Sequence, residues 1–199
     1  MRIAWIPIGV MALLSPAGAT DIRAYVSSSG AASPYPAMRM ASTIFESIGV
    51  TLEWRSPKAA RTDAPAVWVR IELAQDPKKG ILPGALAVSY PFDRCGKGIT
   101  VFLDRIRSFT NDPTRESLLL AYVLVHEITH VIQGVDVHAA EGIMKANWGR
   151  ADREAIYNRN LNFSPDDVPL IQQGLSRNWR RASVLLSDQS QSGTAVRPE

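Results

Sequence analysis

The fold turns on one stretch, LLLAYVLVHEITHVIQGVDVH, residues 118–138. From Leu118 to Ile132 it is apolar nearly all the way round a helix, so that helix must be buried on most of its faces. Asp112-Pro113 upstream supplies a cap and a proline at the first helical position, and Gly134 supplies the stop. Yet the same helix carries His126, Glu127, Thr129 and His130. Buried polar groups without partners cost about 1–3 kcal/mol each, so something has to satisfy these four. The chain holds 3 histidines in all, and every one lies between residues 126 and 138.

His126 and His130 are four residues apart, which places them about 40° apart around the helix at about 100° per residue. Two imidazoles so placed can hold one metal ion. Glu127 is turned about 100° from His126, so it misses the ion and reaches a water bound to it. This is the HExxH arrangement of zinc metallopeptidases. A catalytic zinc takes three protein ligands and keeps one position open. Gly134 permits a sharp turn, and the chain from His130 to His138 is long enough to bring a third imidazole beneath the ion. On this reading His126, His130 and His138 bind Zn2+, which lowers the pKa of its water and polarises a carbonyl. Glu127 takes the water's proton and passes it to the leaving nitrogen. The expected substrate is a peptide or protein, and the expected chemistry is metalloendopeptidase hydrolysis.

Working outward, alternation predicts strands at 21–26, 50–54, 67–73, 86–90 and 99–106. Helical spacing predicts helices at 36–48, ending at Gly49, at 152–160, and from Asp166-Asp167 to about Arg181. The order β-α-β-β-β-β-α with a helical tail predicts an α+β protein, an α/β-type half followed by a smaller half. Residues 183–199 are polar and read as a disordered tail.

At residues 126–147 the chain resembles the metzincin clan of zinc peptidases, whose signature is HExxHxxGxxH followed by a methionine-containing turn. Here one residue is added on each side of the glycine. The resulting HExxHxxxGxxxH, followed by GIM at 142–144, is similar to a group of exported bacterial metzincin-like proteins. The resemblance implies a twisted mixed sheet of about five strands, two long helices and a smaller helical and irregular C-terminal half, covering residues 20–182. It implies that Met144 supports the site as an apolar floor and that an edge strand pairs with extended substrate, for which Leu86 to Tyr90 is the candidate. A tyrosine just past the methionine turn would assist hydrolysis, but Ala146, Asn147 and Trp148 stand there instead.

Other features bound the setting. Met1-Arg2, the apolar run Ile3 to Leu14 and Ala17-Gly18-Ala19 have the layout of a secretory signal peptide, cleaved after Ala19. An exported, secreted or periplasmic protein is therefore expected, monomeric and without stable membrane insertion. Removing residues 1–19 takes one arginine from the full chain's +3, too little charge to argue for nucleic acid. The 1 cysteine, Cys95, excludes an internal disulfide. DRCGKG around it superficially resembles a zinc-capping switch, but it lies inside the domain and reads as an ordinary thiol. Two other readings stand beside the main one. A gluzincin-like peptidase would take Glu154 as third ligand, Glu141 being nearer but displacing His138. An exported zinc-binding module would have a closed site and no turnover. Arg177, Arg180 and Arg181 read as a solvated basic face near a helix C-terminus.

Overall fold

The computed structural model describes residues 21–28, 33–59, 66–75, 84–90 and 98–192. The leader reading of residues 1–19, Cys95 and the last residues of the chain, 193–199, lie outside them. Five strands and five helices are described: β1 Ile22–Ser28, α1 Tyr35–Glu46, β2 Leu52–Arg55, β3 Val67–Ala74, β4 Ala87–Tyr90, β5 Gly98–Phe102, α2 Leu103–Arg107, α3 Pro113–Gln133, α4 Arg150–Tyr157 and α5 Asp167–Ser192. The arrangement is a mixed one, consistent with the α+β expectation.

The strands form one sheet in the order β2-β1-β3-β5-β4. β1 pairs in parallel with β2 and β3, and β3 with β5, while β4 runs antiparallel to β5 at the edge. Alternation fixes which face is buried. Ile22, Ala24 and Val26 of β1 stand opposite Val67, Val69 and Ile71 of β3. That face is covered by α1 and α3, which also pack on each other. The opposite face carries Arg70 and Glu72, both exposed, and a stacked Tyr25–Trp68 pair with ring centroids 5.3 Å apart.

α1 buries Ala37, Ala41 and Phe45, one residue per turn, and the chain leaves it through Gly49 at φ 73°. α3 starts where its capping residues predict: the Asp112 carboxylate accepts from the Thr114 N–H at 2.8 Å and Pro113 follows. It is buried continuously from Leu118 to Gln133. Gly134 closes it in the left-handed conformation, φ 65° and ψ 31°, with its N–H on the His130 carbonyl at 2.8 Å.

Two expectations are corrected. The fifth strand does not run to Ile106. It stops at Phe102, and the chain turns directly into α2. Leu103 and Ile106 are both buried, a three-residue spacing that a strand cannot serve from one face, and Asp104 at the start with Arg105 and Arg107 at the end suit a helix dipole. The last helix does not stop near Arg181. α5 continues to Ser192, so residues 183–192 are helical and not an unstructured tail.

α5 is seated on the end of α3. A side chain at Gly174 would press into the Ile132 carbonyl, 2.9 Å from its carbon and 3.1 Å from Ile132 Cγ2. The close approach lets α5 donate to carbonyls that α3 leaves unsatisfied at its C-terminus. Arg177 Nη2 donates to Gln133 O at 2.8 Å and Asn178 Nδ2 to Ile132 O at 3.4 Å. Arg177 is thus more than a member of a solvated face. It braces the turn that leads to His138.

Candidate metal centre

α3 presents His126, Glu127 and His130, and the turn after Gly134 returns His138 to them. The Nε2 atoms of His126 and His130 lie 3.0 Å apart, and those of His130 and His138 3.2 Å apart. The ligand atoms of the three residues all fall within 4.8 Å of one another, a group that can hold a metal ion.

Two of the other ring nitrogens are already committed. His126 Nδ1 lies 2.8 Å from Ile143 O, and His130 Nδ1 lies 3.1 Å from Val135 O. A backbone carbonyl only accepts, so each Nδ1 carries the proton and each Nε2 keeps its lone pair for the shared centre. Burial reinforces this. It pushes the His126 imidazolium down to about 4, with His130 and His138 adding to the effect against the Ile143 hydrogen bond. Burial also lowers His130, again with help from His138. Both rings are therefore neutral near pH 7, the form that ligates.

Glu127 is buried in the same place. Burial pushes its carboxyl up to about 7, with a hydrogen bond from the Ser89 hydroxyl opposing and the Asp136 carboxylate adding to the rise. Thr129, fully buried, satisfies itself by donating to Val125 O at 2.8 Å.

The centre opens on a cleft of about 950 Å³. β4 and the residues before it form one wall. Leu119 and Val123 of α3 lie along the floor beyond Glu127, and Phe109, Trp148 and Arg153 line the cleft with them. The Trp148 ring meets His126 edge-on at 5.6 Å between centroids. Asp136, exposed on the turn between two of the histidines, also lines the cleft.

Gly134 has the role the sequence implies. Met144 is buried, 2% exposed, in a turn where Ala139 N donates to Met144 O at 2.9 Å. The hydrogen bond from that turn to the triad comes from Ile143, its neighbour. Gly142 lets the turn form, at φ 75° and too close to Asn162 O for a side chain. Glu154 and Glu141 are both exposed, and among the described residues neither joins the three histidine nitrogens.

No family model matches the chain. A search of the curated proteins finds no match either.

The sequence carries no signal that brings Phe109 or Arg153 to the cleft, and Ser89 was foreseen only as part of the candidate edge strand Leu86 to Tyr90. Asp136 stood in plain view between His130 and His138 but without a role. The one available signal was the four-residue step Leu119, Val123, Glu127, which puts all three on one face of α3.

Proposed function

We propose that this chain is an exported zinc metallopeptidase of metzincin type, with His126, His130 and His138 as ligands and Glu127 as general base. The observation that carries the reading is the convergence of three Nε2 atoms beside a buried glutamate in an open cleft. A tetrahedral zinc about 2.0–2.1 Å from each nitrogen holds its ligand atoms about 3.3 Å apart. The separations here are 3.0 and 3.2 Å. Three imidazoles suit zinc, and a site that opens on a cleft favours an admitted substrate over closure by a fourth protein ligand.

Zinc, when bound, supplies a water of lowered pKa and a polarised carbonyl. The chain's own groups do the rest. Glu127 takes up a proton at its carboxylate and returns it to the leaving nitrogen. Ser89 orients that carboxylate through its hydroxyl. Ser89 sits on β4, which pairs only with β5 among the described strands, so its outer backbone edge is available to an extended peptide. A strand of peptide laid there runs beside α3, against which β4 packs.

The test is metal content and peptide hydrolysis of the wild type beside Glu127→Ala. One zinc in both, with hydrolysis only in the wild type, supports the reading. One zinc in both and no hydrolysis in either favours a non-catalytic metal-binding module. No metal in either refutes the triad as a metal site.

A further inference from the structure

The cleft has a second chemical feature besides the histidines. Leu119, Val123 and Glu127 follow one another at four-residue spacing on α3, so one helix face leads from an apolar floor to the general base, about 12 Å end to end. Phe109, 46% exposed on the connection between α2 and α3, and Trp148 line the cleft with that floor. Arg153, from α4, lines it too.

Arg153 is held without a direct ion pair among the described residues. Its guanidinium carbon lies 5.2 Å from the centroid of the Phe109 ring, and its Nη1 donates to Trp148 O at 2.8 Å. A guanidinium has five N–H donors, and this bond uses one of them. Among the described residues no carboxylate lies within ion-pair distance of it. Asp152, its neighbour in sequence, is hydrogen-bonded instead by Lys145 Nζ at 2.8 Å and by Gly149 N at 2.7 Å, and feels Arg153 only as a more distant charge. A charged group with open N–H positions therefore lines the cleft beside Phe109, Leu119 and Val123. Asp136 has the opposite sign, and it acts on His126, Glu127 and His130, so it lies close to the reaction centre.

We infer that the part of the cleft bounded by Phe109, Trp148 and Arg153 is a subsite for a substrate carboxylate carried on an apolar stem. A guanidinium pinned by stacking is already oriented for the two oxygens of a carboxylate, and low local polarity strengthens the pairing. The carboxylate comes from a glutamate side chain near the scissile bond or from the peptide's own C-terminus. The inference rests on the peptidase reading for its substrate, but its test does not depend on turnover.

The experiment uses the zinc-loaded full protein and peptides with Glu, Gln, Leu or Lys at each position flanking the cleaved bond, each made with a free and an amidated C-terminus. The expected result is that Glu exceeds Gln in kcat/KM by about tenfold or more at one position. Arg153→Gln removes that ratio, Arg153→Lys keeps part of it, and Arg153→Glu turns it in favour of Lys. Dependence on the free C-terminus, in place of Glu, assigns the terminal carboxylate as the source. The same peptides are titrated by calorimetry onto Glu127→Gln, where binding is read without cleavage. Arg153-dependent binding of the acidic peptide upholds the subsite even if nothing is cleaved, and then only the peptidase reading falls. Cleavage that prefers Leu or Lys at every position, or a Glu-to-Gln ratio unchanged in Arg153→Gln, overturns the subsite and leaves the peptidase reading standing. Neither cleavage nor binding of any peptide overturns both.

Discussion

Replacing Glu127 with glutamine should stabilise the metal-free protein at neutral and alkaline pH. The cause is the burial of Glu127, 9% exposed, which pushes its carboxyl up to about 7 from an ordinary 4.5. At about 1.4 kcal/mol per pH unit, that gap amounts to about 3 kcal/mol. The sign follows from the raised value. Below 4.5 the group is protonated in both the folded and the unfolded chain, and ionisation costs nothing. As pH rises from 4.5 to about 7, the unfolded chain releases the proton and the folded chain retains it, so wild-type stability falls. Above that range the loss is complete and constant. The amide of the Glu127→Gln variant has no proton to lose, and its carbonyl still accepts from the Ser89 hydroxyl. The variant's advantage therefore grows through this window, and most of it develops between about pH 4.5 and 7. The titrations of His126 and His130 are common to both proteins and cancel in the difference. Urea denaturation in the presence of a chelator at about pH 5, 6.5 and 8 measures it. Zinc should shrink the gap, because a cation beside the carboxyl favours its ionised form. A gap that stays within about 0.5 kcal/mol across the range would show Glu127 to be solvated like a surface glutamate and would refute the argument.

Other perturbations separate the parts of the fold. His138→Ala should weaken metal binding about 100-fold or more, while Glu154→Gln leaves it unchanged, as read by competition with a chromophoric chelator. Gly174→Ala puts a methyl group against the Ile132 carbonyl and should cost about 1–3 kcal/mol in urea denaturation, with weaker metal binding as the brace on the turn to His138 loosens. Gly134→Ala forces an L residue to φ 65° and should cost about 1 kcal/mol by the same measurement. Asp112→Ala removes the cap at the far end of α3 and should cost about 1 kcal/mol without changing metal affinity, which separates general stability from the site.

Much of the site was legible because it is local. His126, Glu127 and His130 share one helix whose start and stop are marked by Asp112, Pro113 and Gly134, and His138 is a single turn away. Strand alternation marked the buried face of β3 for the same reason, since a period of two needs no partner to be seen. Boundaries suffered where two signals met. ITVFLDRI reads as one apolar run, and only the packing of Leu103 and Ile106 into the core decides that its second half is a helix. The extent of α5 was equally hidden, because its polar end carries no periodic apolar stripe.

The spacing of histidines on one helix determined which nitrogens could meet, because α-helical geometry is the same in any fold. It could not determine what would surround them. Ser89 comes from an edge strand, Phe109 from the connection between α2 and α3, Trp148 from a loop and Arg153 from α4, and they meet at the cleft because β4, α2 and α4 all pack against α3. The carbonyls of Ile143 and Val135 that orient His126 and His130 carry no signature at all, since every residue has one. The ligand set was written in sequence at short range, where backbone geometry is fixed. The proton positions, the cleft and its charged end were set by packing at long range, where sequence separation says nothing about distance.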